Sequence, residues 1–465
     1  MSTLPGQNQP PSPWLRLFAI DLRSLALFRI ALGALILAGV ALRLPDFRTF
    51  YTEDGVWPVA VAWAEDWAPG MWSLHLLSGS FSWQVALTVA EAAAGLALLL
   101  GWNTRLVAIL AWVLVASLHR RDVMIISGAG SLLRQFLFWG MWLPLGARWS
   151  LDARRRPAAS GESVLSAASA ALLLQVVLVY WANVLYKADP AWRTTGEAIG
   201  MALGQETYSR PLGRWLLAWP EALRGITHAT FFLEACGPFL LFIPWANARW
   251  RLLVAGVFIA FHAGLAATLY LGLFPFVSIA GWLALLPGAV WARRGESAAV
   301  QRSSRWVHAA AVCFALTLCW NLRPIFPALK TLDPLARVLR LEQRWAMFAP
   351  RPREADSWVV VVGTDARGVE TDLWTGASPV NWRRPPDFAH FFPSDLWKLY
   401  FLNLRSGSAP RPRLFAEWLA RRWQSQHSGA SPLVKMEVFH LEESTSHRGT
   451  VSANFLLYDS GAGPP

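Results

Sequence analysis

The sequence predicts an all-α polytopic membrane bundle of about nine transmembrane helices, followed by a small C-terminal extracytoplasmic α+β domain. Three observations carry that prediction. Hydrophobic residues make up 54% of the 465-residue chain and charged ones only 15%, a balance typical of membrane proteins rather than soluble domains. Apolar runs long enough to approach a hydrocarbon core recur through the first two thirds of the chain and then stop. The arginines between the runs alternate from one connection to the next, as loops on opposite sides of a bilayer do.

Taken in order, residues 1–23 open with the polar, proline-rich MSTLPGQNQPPSPW, which lacks the basic n-region of a cleavable signal and reads as a disordered cytoplasmic tail. Candidate spans follow at residues 24–43, 83–101, 104–119, 131–146, 164–187, 226–245, 251–272, 274–291 and 306–321. Several fall short of the usual length of about 20 residues, which is why the count is approximate. The even-numbered connections carry Arg105, then Arg148 and Arg154 to Arg156, then Arg249 and Arg251, then Arg293, Arg294, Arg302 and Arg305. The first odd connection, residues 44–82, carries Asp46, Glu53, Asp54, Glu65 and Asp66 against a lone Arg48. Basic loops stay in the cytoplasm, so the N-terminus is expected inside and the chain beyond about residue 322 outside.

Residues 24–321 thus form the membrane domain and residues 322–465 the outer one. There DSWVVVVGTDARGVETDLW alternates and turns at Asp-Ala-Arg-Gly like a hairpin. Two amphipathic helices are expected in PSDLWKLYFLNL and PRLFAEWLARRWQSQ, then a strand in LVKMEVFHLEES. AAVQRSSR reads as a loop and SGAGPP as a frayed tail.

Several function classes fall away at this stage. The net charge of +12 sits in short clusters between apolar runs, where cytoplasmic loops hold it, so no nucleic-acid partner is expected. Cys236, Cys313 and Cys319 all lie within apolar runs and read as small buried hydrophobes. No CxxC pattern or Cys/His cluster occurs, so no metal is predicted.

Ionisable groups inside spans are expensive, and each is a candidate for function. The short set is Arg29, Glu91, Arg134, Glu234 and His262. The plain alternative is that the two acids and two arginines pair with one another within the bundle, and that His262 is satisfied by a backbone carbonyl. A sharper candidate closes LLLQVVLVYWANVLYKADPAW, where a long apolar helix ends on Lys187. Tyr180, Asn183 and Lys187 are spaced i, i+3, i+7 and so share one helix face. Either Lys187 snorkels to the headgroups, or it is buried, a condition that lowers an amine's pKa and lets it act as a general base. Asp189 nearby would favour the ammonium.

The same residues carry a resemblance. LALFRIALGALILAGVALRLPDFRTFYTEDGVWP, RQFLFWGMWLPLGARWSLDARRR, YWANVLYKADPAW, FHAGLAATLYLGLFPF and RWAMFAPRPREADSW, in that order, resemble the horizontally transferred transmembrane (HTTM) family, whose best-known members are the vitamin K-dependent γ-carboxylases. The similarity covers roughly residues 20–360. It implies that Lys187 is the base that deprotonates a vitamin K-type quinol, whose oxygenation then drives carboxylation of a peptide glutamate. It implies His262 as a second catalytic residue beside it, with Tyr180, Asn183, Arg29 and Glu234 around the quinol. It also implies the lipid bilayer of the cell inner membrane as the setting and an extracytoplasmic peptide as substrate or partner. The chain departs from the carboxylases at Ala147, where they carry a histidine two residues before the Trp-Ser-x-Asp motif. Their outer region is also larger. Carboxylation of glutamate is therefore not part of the expectation. A quinol-dependent enzyme and a non-catalytic maturation or export partner for a secreted peptide both stay open, and a transporter is disfavoured by the lack of an inverted repeat.

Overall fold

The computed structural model describes residues 12–155, 161–291, 300–302, 307–427, 429, 431–446 and 449–461. Each apolar segment anticipated above contains a helix: α1 (Leu22–Arg43), α2 (Phe81–Leu100), α3 (Thr104–Leu118), α4 (Gly128–Gly140), α5 (Ala167–Tyr186), α6 (Pro220–Cys236), α7 (Asn247–Thr268), α8 (Phe274–Ala284) and α9 (Val307–Leu322). Five helical stretches, Leu22–Tyr51, Phe81–Leu100, Ala167–Tyr186, Pro220–Phe242 and Asn247–Thr268, are long and apolar enough to cross a membrane. The other four are shorter. At 1.5 Å per residue the 11 residues of α8 cover only about half of a ~30 Å hydrocarbon core. Length therefore supports five candidate spans, and the expected nine is not carried by it.

Local chemistry sets the helix ends. Ser166 and Ser169 form a reciprocal capping box at the start of α5 (3.1 and 2.9 Å), and Asp21 caps α1 through the amide of Arg23 at 2.7 Å. α1 and α2 cross where both lack side chains: a Cβ added at Gly33 would lie 2.6 Å from Leu99 N and 2.7 Å from the carbonyl oxygen of Gly95. That contact lets van der Waals packing operate between backbones in a setting where lipid offers no hydrophobic drive.

The connections with even numbers gather at one end of the bundle. A three-stranded sheet ties two of them to the segment before α1: β1 (Ile20–Asp21) pairs with β2 (Ser163–Leu165), which pairs in parallel with β3 (Val300–Arg302). Two expectations change here. Residues 1–11 of the anticipated tail lie outside the described residues, but the remainder is ordered, with Leu17 and Ile20 buried and Arg251 donating to the Ala19 carbonyl at 2.7 Å. AAVQRSSR is not wholly a loop, since β3 begins within it. Strands of two or three residues are too short to show an alternating pattern.

The opposite end carries the α+β domain. β4 (Ala355–Asp365) and β5 (Glu370–Asp372) form the anticipated hairpin, followed by helices α10 (Asp395–Leu404) and α11 (Pro410–Gln426) and strand β6 (Leu433–Ser446). A further strand, β7 (Gly449–Asp459), completes an antiparallel sheet in the order β5-β4-β6-β7. Val359 and Val361 face α10, α11 and the α1–α2 connection, whereas Trp358, Val360 and Val362 pack against Phe388 on the other side. Burial of both faces explains why the run VVVV has no polar partner in the alternation.

The division at residue 322 is not a clean one. The α1–α2 connection shares a core with the outer domain through Phe50, Trp57, Trp397 and Phe415, and Arg411 bonds Asp66 and Asp122 at 2.8 Å each. Asp66, one of the acids read from sequence as markers of the first connection, therefore also docks the domain. Residues 340–345 then thread back into the bundle as a strap, with Leu341 and Trp345 in its hydrophobic core and Gln343 Oε1 accepting from Gln175 of α5 at 2.8 Å. Arg120 and Arg340 contact the Glu342 carboxylate, and Arg134 donates to the Glu342 carbonyl. Burial pushes that carboxyl up, but Arg134, Arg340 and Arg120 together outweigh it and hold it below its ordinary value.

Two outcomes follow from this packing. Gly33→Val, placing atoms against the α2 backbone, should lower stability by more than ~1 kcal/mol in detergent thermal unfolding. Gly256→Val, where an added Cβ meets nothing within 4 Å, should leave the midpoint unchanged. Because the Glu342 carboxyl is depressed in the folded state, its contribution is present above the unfolded value of about 4.3 and lost as pH falls through the folded value. Glu342→Gln should thus destabilise the protein at pH 7 and show a smaller further loss on acidification than the parent.

Candidate functional site

α5 keeps helical geometry to Tyr186 and leaves it at Lys187, where ψ is 63°. Asp189 starts the next helical turn, Pro190–Arg193, by accepting from the Ala191 amide at 2.8 Å. The anticipated neighbour is thus engaged as a cap, and Lys187 has a different counter-charge. Its Nζ donates to Glu234 Oε2 of α6 at 2.6 Å and stands 3.8 Å from the ring centre of Trp192. Both charged side chains are buried, so Lys187 does not snorkel to the surface.

The face predicted for α5 is present. Asn183 Nδ2 donates to the same Glu234 oxygen at 3.2 Å, and the Tyr180 hydroxyl lies 2.7 Å from His262 Nε2 of α7. Trp282 of α8 donates to Tyr180 Oη at 2.7 Å, and Phe258 stacks on the Trp282 ring with centroids 4.4 Å apart. His262 is therefore satisfied by a phenol, not by the carbonyl considered above. Tyr180, Asn183, Lys187, Glu234 and His262 all line one cavity of about 1070 Å³. It extends from the bundle to the underside of the C-terminal domain, where Arg351, Arg353 and Lys398 border it.

Among the side chains that line this cavity, four polar atoms are buried and without a partner among the described residues: Asn183 Oδ1 and His262 Nδ1 near Lys187, and His119 Nδ1 and Asp122 Oδ2 elsewhere in the lining. Asn183 Oδ1 and His262 Nδ1 lie beside apolar walls such as Leu133, Phe261 and Val277, a combination compatible with an apolar ring bearing oxygen. A quinol fits that donor set. Among the described residues no cluster of ligating side chains could hold a metal ion.

Arg29 belongs elsewhere. It donates to the carbonyls of Leu98 and Leu99 at 2.6 and 2.7 Å, and to that of Trp149 at 2.6 Å. Gly101, with φ of 71°, ends α2 beside it, and Asp152 caps α3 through the Thr104 amide at 2.7 Å. The Trp-Ser-x-Asp motif and Arg29 thus form a joint that satisfies the C-terminal carbonyls of α2 and the N-terminal amides of α3. The joint lies at the bundle end opposite Lys187, and Ala147 lies with it, outside the cavity lining. The expected pairing of the two acids with Arg29 and Arg134 does not occur: Glu234 takes Lys187, and Glu91 takes Arg43 at 2.7 Å.

Sequence reasoning missed Arg43, Trp192 and Trp282. Arg43 closes the first apolar run and reads as flanking charge, and two aromatic residues do not stand out among 28 tryptophans. The Arg43–Glu91 pair lines the same cavity with Tyr51 and Asp122. Only the unpaired look of Glu91 in sequence hinted that a cation had to reach it.

Comparison with known proteins gives one match: the family model of the HTTM domain aligns with residues 18–287. No curated protein and no solved structure matches the chain.

If Arg29 is a joint and not a ligand contact, Arg29→Met should cost about 3 kcal/mol or more by leaving three carbonyls without a donor. In the surviving folded fraction, ligand affinity should be unchanged. Thermal unfolding read beside ligand titration separates the two effects.

Proposed function

This chain belongs to the HTTM-domain family, a carboxylase-like family of multi-pass membrane proteins, and on that premise we propose that it is a quinol-dependent membrane enzyme with Lys187 as its base. The observation that supports this most directly is the Lys187–Glu234 pair, at 2.6 Å, on the wall of a cavity that holds unpartnered polar atoms. Asn183, Tyr180, His262 and Glu234 would surround the quinol, with the apolar wall against its ring. When bound, it supplies an acidic hydroxyl and two electrons.

The residues of the chain account for the proton. Lys187 Nζ in its neutral form accepts it, and the ammonium so formed lies against the Glu234 carboxylate and over the face of Trp192. Both contacts are stronger with the cation than with the free amine, so they favour the state after proton transfer over the state before it. Asn183 holds Glu234 in place from the same helix face. Burial excludes water that would otherwise compete for the proton.

The substrate is reached from the other side. Arg351, Arg353 and Lys398 of the outer domain border the same cavity, which suits an extracytoplasmic peptide approaching from the aqueous phase. In this reading the basic connections face the cytoplasm, the outer domain faces away from it, and the protein resides in the inner membrane. The second reading, a non-catalytic maturation or export partner for a secreted peptide, is favoured by one feature: Lys187 and Glu234 also satisfy each other as a purely structural buried pair does.

Lys187→Ala separates the two. In nanodiscs with air-saturated buffer, oxidation of added menadiol should fall by about 100-fold or more, the upper range for loss of a general base. Equal turnover by parent and variant would contradict the enzymatic reading.

A further inference from the structure

The three residues Trp282, Tyr180 and His262 form a chain whose direction is fixed by what each can donate. An indole N–H only donates, so Tyr180 Oη must accept from Trp282 Nε1 at 2.7 Å. The single phenolic proton is then free to point at His262 Nε2, also at 2.7 Å. Nε2 accepts, and a neutral imidazole that accepts at Nε2 carries its proton on Nδ1. The reverse arrangement, with Nε2–H donating to the phenol, would strand the phenolic proton as well as the Nδ1 lone pair. Phe258, stacked on Trp282 at an interplanar angle of 10°, holds the first member of the chain in place.

The consequence is a donor at a defined position. His262 Nδ1 is buried and has no acceptor among the described residues, and a buried N–H left in that state is costly. Asn183, on the same cavity wall, has its amide nitrogen committed to Glu234, so its oxygen is the atom left open. We propose that His262 Nδ1–H is the hydrogen-bond donor that grips an oxygen of the cavity's ligand, a hydroxyl or carbonyl on an apolar ring, and that Trp282 and Tyr180 are positioning residues that lock the tautomer. This rests on the cavity being a quinol site, and it assigns the groups that would orient the ring.

Equilibrium binding of menadione to the full-length protein in nanodiscs tests it. His262→Asn keeps an N–H near the Nδ1 position, whereas His262→Gln keeps a polar group near Nε2 and preserves the contact to Tyr180. The proposal expects His262→Asn to bind within about three-fold of the parent and His262→Gln to bind at least about ten-fold more weakly. A role limited to holding Tyr180 gives the opposite order, and that order, or equal losses, overturns the proposal. So does a parent protein that does not bind menadione. Trp282→Phe, which retains the stacked ring and removes only the N–H, should weaken binding about three-fold or more in a protein of unchanged thermal midpoint, and unaltered affinity there also overturns the lock. Menadione that binds while menadiol is never consumed would end the enzymatic reading and leave this one standing.

Discussion

Two opposite charges kept from water, Lys187 and Glu234, set the terms for the domain-facing half of the bundle. Taking either from water alone costs several kcal/mol or more, so neither helix can present its charged residue unless the other is in register. Their contact at 2.6 Å thus couples the end of α5 to the last turn of α6. The chain break after Tyr186 makes this possible: Asp189-Pro190 starts a new turn, and Trp192 comes back over the amine. Asn183 then donates a second bond to the same carboxylate oxygen. The same pair that holds two helices together also lines a cavity.

Everything that fixes this pair in space lies away from it. At the far end of the bundle, Arg29 and Asp152 satisfy exposed helix ends, and a small sheet ties two connections to the segment before α1. On the near side, the strap of residues 340–345 enters the bundle, and three arginines around Glu342 anchor it. The C-terminal domain docks on the α1–α2 connection through aromatic packing and the bond of Arg411 to Asp66, and on the α3–α4 connection through the bond of Arg411 to Asp122. Its underside becomes part of the cavity wall. The site is thus shared between two parts of the chain that a hydropathy profile separates.

What could be read from the residues follows from the range of the forces involved. The nine helices were legible because burial in lipid or protein demands long apolar runs. The Tyr180, Asn183 and Lys187 face was legible because helix periodicity is local. The partner of Lys187 was not, since its choice depends on how α6 packs, and the nearer Asp189 was the natural guess. Arg29 was misplaced for a related reason: a cation in a span reads as functional, yet free carbonyls at a helix end are equally good partners and leave no trace in sequence. The strap, the short sheet and β7 carry too few residues, or too mixed a pattern, for periodicity to register. The position of Ala147 is informative in the same way, because its distance from Lys187 in the fold could not be inferred from motif order.

The most direct test is a structure of the protein in lipid nanodiscs at a resolution that shows side chains, with a quinone added. The account predicts Lys187 paired with Glu234 on the wall of the cavity, with the ring oxygen of the quinone within hydrogen-bond reach of the Lys187 and His262 side chains. A Lys187 side chain extended into the headgroup layer, with Glu234 bonded to another partner and the quinone absent from the cavity, would contradict it.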